Sequence, residues 1–381
     1  MTTDTAKSAA TAGRFARQGR SFAGALRPWL MLALVCAVFS VHPGFRGTFW
    51  RESYLPNILQ QSARNIVLAV GMSFVIITGG IDLSVGSVLA LSGAGLALAM
   101  NGPLPLWLTS VVALPIALLA AWRAYSRART RSKQTALSAT VFLVAEAGLT
   151  FVLSRGLAGG VKMEGAIAIA LLIGLACGMA NGLMVSVGRI PAFVMTLGMM
   201  SAARGLTLYA TDSSSVPARV QRFLALGQGA PLITITLVVV IAAAVLLART
   251  RAGRYVMSIG GSEQATRLSG VDVAAYKTMA YALSGLGAGI GAVLVTAKFG
   301  TANTGAGTGA ELDAIAAVVI GGTSLSGGQG SIVGALVGAL TITVIEAGLV
   351  LCGVRDTLQA VILGGVIVLT VLIDQVRKAR Q

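Results

Sequence analysis

A single aspartate, Asp82, stands in the segment TGGIDLSVGS (Thr78 to Ser87), between two long apolar runs. A carboxylate at membrane depth is costly unless it has a partner or lines a wet cavity. Non-helical backbone is tolerated at that depth only inside protein or beside water. Gly79, Gly80, Ser84 and Gly86 surround the aspartate, so the segment reads as a broken helix at a functional interior, the kind of place where discontinuous helices form sites. Asp82 has two readings: it contacts whatever passes through that interior, or it accepts hydrogen bonds from the freed backbone amides.

A second acidic pair, Glu311 and Asp313, opens the run GAELDAIAAVVIGG. Residues two apart do not share a helix face, so joint acid–base work is disfavoured. They act either as acidic groups opposing the dipole at a helix start or as gating groups in a pocket. Glu146 and Glu346 also fall within apolar runs, as do Arg64 and Arg204; charges in such places face the bundle interior or pair. Asn181, in CGMANGLMVSVGRIPAF, sits among small residues and is suited to a bond between helices, an assignment set against direct solute contact.

Gly321 to Gly330 reads GGTSLSGGQG, and its Leu325 to Gln329 is identical to the signature pentapeptide of ABC ATPases. Such an ATPase also needs a G-x-x-x-x-G-K-[ST] phosphate loop, which this chain lacks. The segment, with Gly321 and Gly322 at its head, is therefore read as a membrane turn with close backbone packing. Histidine occurs once, at His42, and Cys36, Cys177 and Cys352 lie in apolar runs without paired spacing. Disulfides, a zinc site and a Ser-His-Asp triad all lack material. Neither a nucleophile–base pair nor a metal constellation is apparent. No cofactor, no metal and no bond chemistry are expected of this chain.

The elements that carry these residues follow from composition. Of 381 residues, 55% are hydrophobic and 11% charged, whereas a soluble domain is about a quarter charged. With 48 glycines, the chain suits a polytopic all-α bundle whose helices approach closely at small residues. The net charge of +16 does not mark a nucleic-acid binder, because the basic residues fall in short loops between apolar spans, where they set topology.

Apolar windows lie near 29–42, 57–78, 83–100, 104–122, 136–154, 165–187, 192–210, 231–248, 279–297, 312–322, 331–351 and 357–374. Taken at face value they give about twelve crossings, with both termini on one side. An inside N-terminus puts three basic clusters inside: Arg123 to Lys133, Arg249 to Lys277, and Arg377 to Arg380. Isolated charges such as Arg46, Arg155, Lys162, Arg219 and Arg355 stay outside, as the positive-inside tendency requires. The chain divides into a cytoplasmic N-terminal tail (1–28), a transmembrane domain (29–376) and a short C-terminal tail (377–381). The loop at 249–278 is expected to hold a short helix from Glu263 to Leu268, stopped by Gly270. Outside, Thr211 to Pro231 is the longest connector, either a partner surface or a plain flexible loop.

Four segments resemble the permease subunit of ribose-type ABC sugar importers: TGGIDLSVGSVLALSG, NGLMVSVGRIPAFVMTLGMMSAARGL, RTRAGRYVMSIGGSEQATRLSGVDV and ELDAIAAVVIGGTSLSGGQGSIVGALVGAL. They occur in the family's order over most of the chain from Thr78 onward. The resemblance implies a type II importer fold with a ten-helix core and two permease copies, identical or different, facing each other around a path. It implies a periplasmic sugar-binding protein and a cytoplasmic ATPase that binds ATP and magnesium. It also implies a bacterial inner-membrane location, and a coupling helix in the 249–278 loop. Gly253, Arg254, Gly260, Gly261, Glu263, Ala265, Arg267, Leu268 and Gly270 fall on that coupling loop.

The chain departs from the family pattern at about 123–165, where some forty residues form either two extra crossings or a peripheral hairpin. In the coupling loop Ser262 replaces a common asparagine and Thr266 a common alanine. Two rival readings use the same residues without an ATPase: an ion-driven secondary transporter working through Asp82 and Glu311, and a receptor or scaffold without flux.

Overall fold

The computed structural model describes residues 26–41, 51, 54–127, 140, 143–144, 146–148, 150 and 161–379. The N-terminal tail before 26, His42 and most of the 123–165 insertion lie outside the described residues. Helices dominate. They are α1 (Leu26–Val41), α2 (Tyr54–Ile77), α3 (Val85–Asn101), α4 (Leu106–Arg127), α5 (Met163–Ser186), α6 (Ala192–Ala210) and α7 (Gln221–Leu226). There follow α8 (Gly229–Arg249), α9 (Arg251–Gly261), α10 (Glu263–Leu268), α11 (Val273–Phe299), α12 (Ala310–Ile320), α13 (Ile332–Leu351) and α14 (Asp356–Ala379). The all-α class expected from composition is what the chain adopts.

Among the described residues α5, α8, α11 and α13 are each long and apolar enough to cross a membrane. The windows 83–100 and 104–122, counted above as two crossings, form helices that meet at a short break and diverge by 117°. The tenth window becomes α12, only 11 residues and so about 16 Å long at 1.5 Å per residue. That is half a membrane, so α12 is a half-helix.

Two helices organise the interior. α11 packs along α5 on a seam of glycines: a Cβ on Gly178 would lie 3.0 Å from the Cα of Ala282, and one on Gly174 2.9 Å from the Gly289 nitrogen. Backbones this close exclude any side chain between them, which is how small residues draw membrane helices together. On its other side α11 meets α2, whose residues from Ile66 to Ile77 are all buried. α6 and α8 stand at the periphery, showing Phe193, Val194, Leu237 and Ile241, as lipid-facing helices should.

The connector from Thr211 to Pro231 is more ordered than a flexible loop. Val216 and Pro217 pair antiparallel with Thr301 and Ala302, and Phe223 of α7 is fully buried. Arg249 to Lys277 holds two helices where the sequence suggested one. α9 was not foreseen, because its small, polar and basic residues read as a solvated connector. α10 has the bounds expected of it, with Gly270 after it at φ +80°.

Candidate functional site

Asp82 is 1% exposed and lies on the non-helical stretch between α2 and α3. Its Oδ1 accepts from the Ser84 backbone N–H at 3.0 Å and from the Ser84 hydroxyl at 2.6 Å. Its Oδ2 accepts from the Ser284 hydroxyl of α11 at 2.8 Å. Asn181 of α5 donates through Nδ2 to the Ser84 oxygen at 2.9 Å, while its own Oδ1 is buried without a protein partner. Thus one carboxylate ties the broken segment to α5 and α11 together. Asp82 thus accepts from one freed backbone amide, and Asn181 bonds from α5 to the N-cap residue of α3.

Ser284 was missed in the sequence. It stands in ALSGLGAGIG, where a serine among alanines and glycines passes for another small packing residue. Tyr281, one turn earlier on α11, was missed too. Its ring is 1% exposed and fills the space a side chain on Gly80 would need, so that a Cβ there would come 3.2 Å from the Tyr281 Cζ and from Val75 Cγ1.

The chain leaves α2 through Gly79 at φ +80°, a conformation that strains any residue with a Cβ. Here three distant segments meet. Gly328 donates its N–H to the Ile77 carbonyl at 2.9 Å. A Cβ on Gly327 would lie 2.9 Å from the Gly79 nitrogen and 3.0 Å from the Gly260 Cα. The glycine-rich turn after α12, the break after α2 and the end of α9 therefore touch backbone to backbone. The close-packed membrane turn inferred for Gly321 to Gly330 is what the structure contains. Gly321 itself seats against α13, its Cβ position 2.7 Å from the Ala335 nitrogen, whereas Gly322 faces open space at φ +85°.

Glu311 and Asp313 both lie in the first turn of α12, and the N-cap Gly309 offers no side-chain cap. They diverge as an i, i+2 pair must. Glu311 packs where Gly86 and Gly307 bring α3 against the loop before α12, within electrostatic reach of Arg204. Arg204 in turn donates to the carbonyls of Thr304 at 2.6 Å and Ala306 at 3.1 Å, holding that loop in place. Asp313 looks the other way, toward Arg64 of α2. Neither proximity could be read from one sequence.

At the α9–α10 end, Thr250 caps α9, accepting from the Gly253 N–H at 3.2 Å, while the Gly253 Cα presses on the last turn of α8. Ser262 caps α10, accepting from Ala265 at 3.3 Å. Thr266 faces inward and bonds the Ser258 hydroxyl at 2.7 Å. Ser262 thus caps the short helix, and Thr266 fixes it to α9. Glu263 bonds Lys277 of α11 and Arg267 at 2.8 Å. The Lys277 hydrogen bond, reinforced by both cations, holds the Glu263 carboxyl below its ordinary range despite some burial. Arg254, Gly261, Ala265, Arg267, Leu268 and Gly270 are exposed, Leu268 to 83%. A six-residue helix with an apolar tip and a basic rim is thereby presented outward.

Chemically, the described residues hold no cluster of three or more metal-ligating acidic, histidine or cysteine side chains. What the geometry offers is a buried polar knot, a three-way glycine junction and an outward helix joined to that junction.

Known proteins share this design. A family model described as the permease component of the branched-chain amino acid transport system matches residues 54–165 and 131–371. The ribose import permease protein of Escherichia coli strain K12 is 37% identical over 365 residues, covering 91% of this chain and 95% of that protein. The ribose import permease of Bacillus subtilis strain 168 is 36% identical over 362 residues, covering 93% and 94%. The D-allose transport system permease protein of Escherichia coli strain K12 is 30% identical over 353 residues, covering 91% and 90%. No solved structure matches the chain at a significant level. A multi-pass membrane chain with this match and these relatives is a transport-system permease component and belongs to that family, among its ribose-type members.

Proposed function

We propose that this chain is the membrane subunit of an ABC importer for a monosaccharide, a pentose or hexose like those named for its relatives. A cytoplasmic ATPase docks on the exposed α10, a periplasmic binding protein delivers the sugar, and a second permease copy completes the path. The N- and C-termini and the α9–α10 end face the cytoplasm, in keeping with the three basic clusters. The chain itself makes and breaks no bonds; ATP and magnesium belong to the partner.

The observation that carries this reading is the physical link from α10 to the broken segment. α10 is capped by Ser262, and the adjacent end of α9 packs through Gly260 on Ile77 and Gly328. A displacement of α10 by the ATPase therefore reaches both glycine-rich breaks without passing through flexible chain. Only a difference in ATPase affinity between two conformations can drive such a shift, and the junction supplies the element on which it acts. Asp82, Ser84, Asn181 and Ser284 serve as the knot that keeps the break in register while Gly79, Gly80, Gly321 and Gly322 let it move.

The test is uptake into proteoliposomes that hold the chain with and without its ATPase. Sugar entry that needs the ATPase and ATP is the expected result. Entry driven by an ion gradient with the ATPase absent would overturn the reading in favour of a secondary transporter. Deletion of Glu263 to Leu268 is expected to abolish uptake while the protein still inserts.

A further inference from the structure

A cavity of about 660 Å³ opens between α2, α12, α13 and α14, away from the Asp82 knot. Its polar wall includes Gln61 and Arg64 of α2, Thr308 before α12, Asp313 of α12 and Glu346 of α13. Ligand pockets range over about 300–1,000 Å³, so a single small solute with some water fits this space. A smaller cavity of about 180 Å³ shares Gln61, Arg64 and Glu346 and adds Lys298 at the end of α11 farthest from α9. The two make one polar track from that end into the bundle.

Charged side chains inside a membrane domain are rare, and they mark water-filled cavities and substrate paths. Here three of them converge from three helices. None forms an ion pair within 4 Å among the described residues, where the ion pairs are those of Glu263. Arg64 donates through Nε to Asn65 at 3.0 Å, and Asn65 in turn donates to Thr343 of α13 at 3.2 Å, which fixes the stem of the arginine. The two terminal amino groups of Arg64 have no acceptor, and the Asp313 carboxylate no donor, among the described residues. These groups are held near one another yet are not used up by one another.

We propose that this cavity is a binding site for a neutral polyhydroxylated solute in the permease itself, with Arg64 donating to its hydroxyl oxygens and Asp313 and Glu346 accepting from its hydroxyl groups. The inference rests on the sugar-importer reading above and deepens it. In the larger cavity a free carboxylate or phosphate on the solute would face Asp313 and Glu346 with Arg64 as the one cation. A polyol satisfies donors and acceptors alike, and it enters from the side where the binding protein docks.

The experiment uses the complete transporter, this chain with its ATPase and binding protein, in proteoliposomes with D-ribose and D-allose as probes. Arg64→Gln, Asp313→Asn and Glu346→Gln are each expected to lower uptake at least tenfold. Hydrolysis of ATP stimulated by the binding protein stays within about twofold, which shows that the complex has assembled. A second readout is an Ala347→Cys variant with the native cysteines replaced by serine, whose maleimide labelling is expected to slow at least threefold in excess sugar. Uptake unchanged in all three variants, or labelling indifferent to the sugar, overturns the site while leaving the importer reading intact. Accumulation of leucine and of neither sugar by the unsubstituted complex overturns both.

Discussion

The Gly328 amide donates to the carbonyl of Ile77 at 2.9 Å, joining the turn after α12 to the end of α2 by main chain alone. Gly260 of α9 closes the same junction from below. A side chain at Gly260 would run into the Ile77 and Gly328 main chains, and one at Gly328 into Gly260 and Gly261. Gly260→Val is therefore expected to destabilise the protein by about 1–3 kcal/mol, the usual cost of overpacking, and to abolish uptake. The thermal midpoint in detergent and uptake by membrane vesicles measure the two effects. Gly80→Leu, which would collide with Tyr281, is expected to insert normally and fail in transport.

Asp82 receives three hydrogen bonds with almost no exposure to solvent. Asp82→Ala strands the Ser84 amide and two hydroxyls, and an unsatisfied buried polar group costs about 1–3 kcal/mol. Asp82→Asn keeps the shape and one acceptor, so it is expected to lose clearly less. Thermal unfolding of both variants in one detergent gives the order, Ala below Asn below the unsubstituted chain.

The Glu263 carboxyl is held low by Lys277 and Arg267. A depressed acid contributes stability that is present above its unfolded value and fades as pH falls through the folded value. The α10–α11 tie is thus complete at neutral pH and loosens only below the ordinary carboxylate range, near 4.5. Glu263 is partly exposed, so the tie is worth no more than about 1 kcal/mol. Amide hydrogen exchange in α10 is expected to quicken in Lys277→Met at pH 7, and to quicken in the unsubstituted chain only under acid conditions.

Cys352 is exposed at the end of α13 and Cys177 is buried. Since α13 begins at the glycine junction, Cys352 lies at the opposite end of the bundle. A membrane-impermeant maleimide added to spheroplasts is expected to label Cys352, with Cys36 replaced, and to spare Cys177. Labelling of Cys352 that requires permeabilised membranes would invert the orientation proposed above.

Much of the site could be seen in the sequence because it breaks compositional rules. A lone aspartate among glycines, two acidic residues opening an apolar run and a basic loop all stand out against apolar helices. Their partners did not, for a physical reason. Ser284 and Tyr281 belong to a helix whose small, apolar character is set by its packing on α5, and nothing local distinguishes a serine that bonds Asp82 from one that fills space. Arg64 and Glu346 were conspicuous separately, but only the crossing of α2 and α13 brings them to one cavity. The half-helix α12 looked like a short crossing because hydropathy measures apolar length and cannot register a chain that turns back. α9 was missed because a helix lying on the rim of the bundle has no continuous apolar run to announce it.

The glycine seam between α5 and α11 constrains how such a machine can alternate. Two helices whose main chains touch have no intervening side chains to change rotamer, and rotation of one would drive backbone into backbone. They must travel as a single rigid strut. Rearrangement is left to the glycine breaks at Gly79–Gly80 and Gly321–Gly322, which flank the strut and carry no side chains.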